Sequence, residues 1–406
     1  MRILVLSSVL PFPPDDGGRI RVFHLLRGLA EVHDVELLTL TDDSDGEREG
    51  HAVLAADGVG VHAVSHRPDR RAVSVRSLLT GRSFHGDLVR SAALRARLRE
   101  RLAGGDIDVV QCEYAAMARY RRWDQDVPWV LDAHNVEFRI SDTLADSATG
   151  ARQAPYRMYA RREARCRRRE EIAAWRDMEH VVVVSGVDRE IVAAIAPDTP
   201  TTVVPNGVDL EHLRPPPERT GHRPAAVFVG KMDYRPNVDG VRWFADEMLP
   251  LVRARVPSFE LTIVGRDPTP AVRALGDRPG VHVTGPVLDA APLLHDAALA
   301  VVPLRAGSGT RLKVLEALAT GTPVVSTSVG VEGLDLEPGR HVVVADDPHT
   351  FATAVVELMA DPGRRADLAS AGRRLVEERF GWPHSVAALV AVHERVVDLH
   401  RSGGHV

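Results

Sequence analysis

Two doubly wound α/β domains in one chain are what this sequence predicts, and three observations predict them. The chain has 406 residues, more than a single hydrophobic core usually organises, so two domains are expected. Short apolar runs alternate with longer amphipathic stretches from end to end, the pattern of βα units stacked around a parallel sheet. That rhythm breaks at DLEHLRPPPERTGHRP (209–224), whose polar, proline-rich composition suits an extended linker.

Taken in order, RILVLSS, DVELLTL, DVVQCE, WVLDAH, HVVVVS and TTVVPN read as strands of a first domain, residues 1–208. Helical patterns lie between them, as in IRVFHLLRGLAEV, where Ile20, Phe23, Leu26 and Leu29 make one apolar stripe. After the linker, AAVFVGK, FELTIVG, VHVTG, ALAVVPL, TPVVST and HVVVAD repeat the pattern over 225–381. Both domains are therefore expected to be Rossmann-like. The stretch WPHSVAALVAVHERVVDLH, within 382–406, has helical periodicity and either stays with the second domain or packs back on the first. Two such domains facing a central cleft would bind ligand beyond the carboxyl ends of their strands.

Composition narrows the function. A net charge of −5, with 26% charged residues, argues against whole-protein attraction to nucleic acid. Cys112 and Cys166 form neither a metal-type spacing nor a disulfide framework, which fits a reducing cytoplasm. The N-terminal MRILVLSSVLPFPPDD has an apolar run too short for a secretory signal and reads as a buried strand. No run of about 18 apolar residues occurs, so no spanning helix is expected. The aspartates of DID (106–108) and DQD (124–126) read as solvated turns, and no cluster with ligand spacing calls for a metal.

Lysine usage points to a site. Of 51 positive residues only Lys231 and Lys313 are lysine, and both follow strand ends of the second domain. Lys313 lies in GSGTRLKVLEALATGTPVV (307–325), where a strand gives way to a glycine loop and then to a helix start. Unpaired N–H groups and the positive dipole end there suit phosphate. Arg311 and Lys313 in the first turn oppose that dipole, which makes sense if a diphosphate sits between them. Glu316, one turn after Leu312, can turn to the same side and accept from sugar hydroxyls. Read alone, Gly307 and Gly309 make an ordinary turn flanked by solvated cations. The second lysine, in VFVGKMDYRPN, shifts the balance towards a shared anionic ligand.

These segments, with PNGVD (205–209) and PFPPDDGGRIRVFHLLRGLA, resemble the family 4 glycosyltransferases of GT-B fold. More narrowly they are similar to bacterial sugar transferases carrying a GTRLKVLEA signature. The resemblance implies a retaining, metal-independent hexosyltransferase with no cofactor. Its donor would be a nucleotide-diphosphate sugar, and its acceptor a saccharide, lipid-linked group or small molecule. It places the second glutamate of the family's Glu-x7-Glu motif on Glu316, which would hold the ribose, while the first falls on Ser308, a departure. Of the usual cation pair after the first strand of the second domain, Lys231 is present and the other position is Asn237. Arg235, Arg311 and Lys313 are the charges available to replace it. Gly230, Gly307, Gly309, Thr310 and Leu312 complete the implied donor site. In the first domain the resemblance sets Gly17 and Gly18 beside the donor phosphates and acceptor, and His134 near the reacting sugar. Lys231, Lys313 and His134 are its implied catalytic groups.

Three other readings differ in what they require. A GT-B nucleotide-sugar epimerase calls for acid/base groups that the sequence does not place. A dinucleotide oxidoreductase calls for G-x-G-x-x-G after an early strand, which GSGTRL matches only in part. A non-catalytic sugar-nucleotide-binding regulator would account for Ser308. Arginine clusters at 67–101 and in RMYARREARCRRR read as solvated helix faces or, more sharply, as surfaces for peripheral contact with anionic lipid at the inner membrane face.

Overall fold

The computed structural model describes residues 1–42, 45–123, 126–147, 154–216, 223–307 and 310–403. The chain divides into two compact units, Met1–Asn206 with Trp382–Val406, and Gly207–Gly381. The division falls at Gly207 rather than inside 209–224. The first part of that segment is not extended: Asp209 caps a turn through the N–H groups of Glu211 and His212. The Arg373 side chain donates to the carbonyls of Leu210 and Leu213, tying the turn to unit 2.

Unit 1 is built on a seven-stranded sheet in the order β3-β2-β1-β4-β5-β6-β7. The strands are β1 Arg2–Ser7, β2 Asp34–Thr41, β3 Val59–Ser65, β4 Val109–Glu113, β5 Trp129–Ala133, β6 His180–Val183 and β7 Thr201–Val203. Every pairing is parallel. Six of these strands coincide with sequence expectations. β3 does not, because VGVHAVS carries His, Gly and Ser on an exposed edge rather than a continuous apolar run. The sheet has two covered faces, and β1 shows how. Leu4 and Leu6 join one apolar cluster, while Ile3 and Val5 join the other, as the two-residue period of a strand dictates.

The second of those faces is closed by the helices Gly17–Ala30 and Trp382–Arg401. Phe23, Leu26 and Leu29 of the expected stripe are buried there, with Ile20 half-buried at its end. The helices approach closely: a Cβ on Gly28 would strike Val386, and the rings of His24 and Trp382 stack at 4.8 Å. The final helix thus belongs to unit 1. The DID aspartates lie at the surface but are paired there: Asp108 accepts from the Arg2 N–H at 2.7 Å and from Arg401, and Asp106 pairs with Arg2 and Arg101, at the start of the interior strands β1 and β4. Of DQD, Asp124 and Gln125 lie outside the described residues.

Unit 2 has a six-stranded parallel sheet in the order β10-β9-β8-β11-β12-β13. Its strands are β8 Arg223–Val229, β9 Glu260–Val264, β10 Val281–Gly285, β11 Ala297–Val302, β12 Val324–Ser326 and β13 Val343–Val344. In both sheets the strand order reverses beside the first strand of the unit, between β1 and β4 and between β8 and β11. Such switch points leave a crevice at the carboxyl ends of the strands, and there the loops splay apart to admit ligands.

Candidate functional site

The β8/β11 switch point of unit 2 gathers most of the sequence-selected residues. β8 ends at Val229 and runs into Gly230 and Lys231, and the helix Arg235–Trp243 follows. β11 leads through the glycine loop into the helix Leu312–Ala319, with Arg311 at its cap and Thr310 before it. The Lys313 ammonium donates to Asn237 Oδ1 at 2.7 Å, and Asn237 returns Nδ2 to the Lys231 carbonyl at 2.9 Å. Asn237 is thus the clamp that joins the two strand-end loops. Gly230 is glycine for a steric reason, since a Cβ there would lie 2.7 Å from both Lys313 Nζ and Asn237 Nδ2. The Lys313 ammonium also lies 4.1 Å from the centre of the Phe228 ring.

Among the described residues, no carboxylate is in hydrogen-bond contact with Lys313. Loss of water around it, with repulsion from Arg311, pushes its ammonium down to about 7 against the attraction of Glu316. The Glu316 carboxyl is displaced upward by the same desolvation, with Lys313 pulling it back. Both side chains remain half-buried rather than sealed. Two opposite charges strengthen one another; here desolvation outweighs that attraction and both are weakened. Lys231 lies 3.3 Å from Asp233 and is about one third exposed.

Arg311 behaves differently from the lysines. It is buried, and its Nη2 donates to the Val329 carbonyl at 3.3 Å, 4.0 Å from the Glu332 carboxylate. Gly307 adopts φ +151°, and a Cβ on it would meet the Arg311 guanidinium at 2.8 Å. Arg311 therefore shapes the loop from behind. Leu312 is buried in the helix packing, and Arg235 is half-buried at the start of its helix. Ser308 and Gly309 lie outside the described residues.

The β1/β4 switch point of unit 1 collects a second group. β4 and β5 pair with Glu113 opposite Asp132, and the chain leaves β5 at His134. His134 Nε2 lies 2.6 Å from Glu113 Oε2, and the other Glu113 oxygen accepts from Gln111 Nε2 at 2.5 Å. His134 Nδ1 is buried with no hydrogen-bond partner. Burial and the neighbouring Asp132 hold the Glu113 carboxyl above its usual range, against the pull of His134. Tyr114 has φ +69° and sets its ring 4.0 Å from the His134 ring, tilted by 32°. Its hydroxyl occupies the space that a Cβ on Gly18 would need. Gly17 opens the helix, which Asp16 caps by accepting from the Arg19 N–H. Beneath these residues Arg21, fully buried, forms a two-pronged bond to Asp132 at 2.9 and 3.0 Å and donates to Pro205 O and Asn206 Oδ1.

Sequence reading selected His134, Gly17 and Gly18 here but not Glu113, Tyr114, Arg21 or Asp132. The available signal was acidic residues ending adjacent predicted strands, in VVQCE and WVLDAH. Among the described residues, Glu113, Asp132 and His134 form a group whose ligand atoms lie within 4.8 Å of one another. The sequence showed no such cluster because 18 residues separate Glu113 from Asp132 along the chain, as their numbers show. Both Asp132 oxygens accept from Arg21, and Glu113 is bonded to His134 and Gln111, so each carboxylate of the trio already has a protein partner.

Two family profiles match the chain. "Glycosyltransferase Family 4" covers residues 16–212 and "Glycosyl transferases group 1" covers 223–361. An uncharacterised 44.6 kDa protein in the cps region of Klebsiella pneumoniae is 22% identical over 93% of this chain and 96% of its own length. The lipopolysaccharide core biosynthesis mannosyltransferase LpsB of Rhizobium meliloti is 29% identical over 55% of this chain and 67% of its own. Among solved structures, sucrose-phosphate synthase from Thermosynechococcus elongatus has a TM-score of 0.70 at 18% identity, covering 98% of this chain and 99% of the other. HepE from Anabaena, in complex with UDP, has a TM-score of 0.66 at 16% identity, covering 98% and 100%. A glycosyltransferase profile thus matches on each side of residue 220, and with the GT-B fold of the solved structures the matches support a family 4 glycosyltransferase.

Proposed function

We propose that the chain transfers a hexose from a nucleotide-diphosphate sugar to an acceptor hydroxyl, with retention at the anomeric carbon and without a metal ion. The observation that carries the reading is Lys313. Its ammonium is fixed by Asn237 at 2.7 Å over a glycine, beside a helix start, and has no contacting carboxylate among the described residues. Departure of a nucleoside diphosphate builds negative charge where that ammonium and the helix N–H groups point. A donor fixed in advance there lowers the barrier without reorganisation. Lys231 supplies a second cation, and Glu316 accepts from the ribose hydroxyls. In unit 1, the Glu113–His134 pair is assigned to the reacting sugar. HepE has been solved with UDP and with UDP-glucose, which supports a nucleotide-sugar donor here.

The test is a panel of UDP, GDP and dTDP sugars screened by thermal shift, followed by transfer assays with chelator present. The expected result is one stabilising donor, turnover that survives the chelator, and a product that keeps the donor's anomeric configuration by NMR. Binding without turnover on any donor would favour the regulator, and an inverted product would exclude retention.

A further inference from the structure

One atom of the buried group at the β1/β4 switch point is left over. His134 Nε2 lies 2.6 Å from Glu113 Oε2, and among the described residues His134 Nδ1, also buried, has no hydrogen-bond partner. Such an orphan is costly and is kept where a ligand supplies the partner. The ring itself is fixed: Glu113 holds one nitrogen, and the Tyr114 ring lies 4.0 Å from the imidazole. What Nδ1 can offer a ligand depends on whether it carries a proton.

The surrounding charges decide that. Asp132 is matched by Arg21, whose two-pronged bond takes both its oxygens. Glu113 is not matched in this way. Its Oε1 accepts from the neutral Gln111 amide at 2.5 Å, and among the described residues its ion-pair partner is His134. The neighbourhood is acidic besides: after burial, the groups that raise the Tyr114 phenol are Glu113, Asp16, Glu137 and Asp132. Burial first and Asp132 second raise the Glu113 carboxyl as well, against His134 and Gln111.

A carboxylate buried there without a counter-charge is costly, and a neutral Glu113–His134 pair avoids that cost. The pair is neutral as carboxylate with imidazolium, or as carboxylic acid with imidazole. In both forms one proton lies between Oε2 and Nε2 and a second sits on Nδ1. Only the net negative form, carboxylate with imidazole, bares the Nδ1 lone pair. We propose that Glu113 is a positioning residue that keeps a proton on His134 Nδ1, so that the imidazole meets an oxygen of the bound sugar as a hydrogen-bond donor. The sugar's place beside His134 rests on the transferase reading; the proton on Nδ1 rests on the geometry of unit 1 alone.

The experiment is heteronuclear NMR of the full chain with nitrogen-labelled histidine, the His134 signals being assigned by their loss in His134→Asn. Each ring nitrogen reports separately whether it is protonated. Between about pH 6 and 8 the wild type should show a proton on Nδ1. Two variants join the spectrum to turnover. In Glu113→Gln the amide oxygen keeps the contact with Gln111, so the new N–H group faces Nε2 and the Nδ1 proton stays. In Glu113→Leu nothing holds it, and kcat/KM for the donor should fall about ten- to hundredfold, the worth of one hydrogen bond near charge. Glu113→Gln should recover most of that loss, which a merely structural demand for a carboxylate would not allow. The proposal is overturned by a wild-type His134 whose Nδ1 is bare, or by a Glu113→Gln variant that melts like wild type yet is as impaired as Glu113→Leu. Should Glu113→Leu fail to fold, the wild-type spectrum still decides. A chain that transfers no sugar from any donor counts against the transferase reading alone, since the spectrum needs no substrate.

Discussion

The two switch points share a topology and differ in how their charges are settled. In unit 1, Arg21 meets Asp132 in a two-pronged contact and Glu113 meets His134, all four residues being buried. In unit 2, Lys313 is hydrogen-bonded to a neutral amide, and its ammonium and the Glu316 carboxyl are both displaced towards neutrality. In the first arrangement each charge is paired within the unit. In the second, desolvation outweighs the attraction between Lys313 and Glu316; on the proposed reading, a bound anion would restore the ammonium.

Removing the cation from each site should separate these roles. Arg21→Met leaves Asp132 buried without its partner and should cost about 3–5 kcal/mol of stability, read by chemical denaturation. Lys313→Met should leave stability near wild type, because its charge is already poorly accommodated. Equal losses in the two variants would erase the distinction. Against catalysis the order reverses: Lys313→Ala should lower turnover by roughly 10²–10³ in a transfer assay.

Gly230→Ala offers a finer probe, since the added methyl enters the space of Lys313 Nζ and Asn237 Nδ2. It should weaken nucleoside diphosphate binding by about tenfold, as expected for a misaligned charged hydrogen bond, with the melting temperature of the free protein little changed. Unaltered affinity would show that the clamp does not meet the ligand.

A smaller effect follows from pH. With Lys313 near 7 in the free protein, an anion that binds the ammonium form raises its proton affinity and takes up a proton on binding. Affinity should therefore be full below about pH 7 and fall above it, by at most about tenfold per pH unit. Isothermal titration in buffers of different ionisation heat reads this uptake directly. The slope should vanish in Lys313→Met.

Much of this was readable from residues alone. The βα rhythm marked twelve of the strands, since interior parallel strands are apolar on both faces and the edge strands β7, β10 and β13 keep short valine-rich runs; the edge strand β3, with His62 and Gly60, lacked that signature. Lys231, Lys313 and Asn237 were selected singly, yet their meeting depends on β8 and β11 being neighbours, which no local pattern states. Arg21 and Asp132 were missed for the same reason. An arginine on an amphipathic helix reads as solvated until the sheet places an aspartate 111 residues away beneath it. Arg311 was selected for the ligand, and the fold adds a role that no local pattern states, a hydrogen bond to the Val329 carbonyl.

The most direct test compares a nucleoside diphosphate with its parent nucleoside, on wild type and on Lys313→Ala, by calorimetric titration. If Lys313 is the diphosphate cation, the wild type prefers the diphosphate strongly, and the variant loses most of that preference while binding the nucleoside unchanged. An equal preference in both proteins would contradict the assignment of Lys313 and with it the donor site.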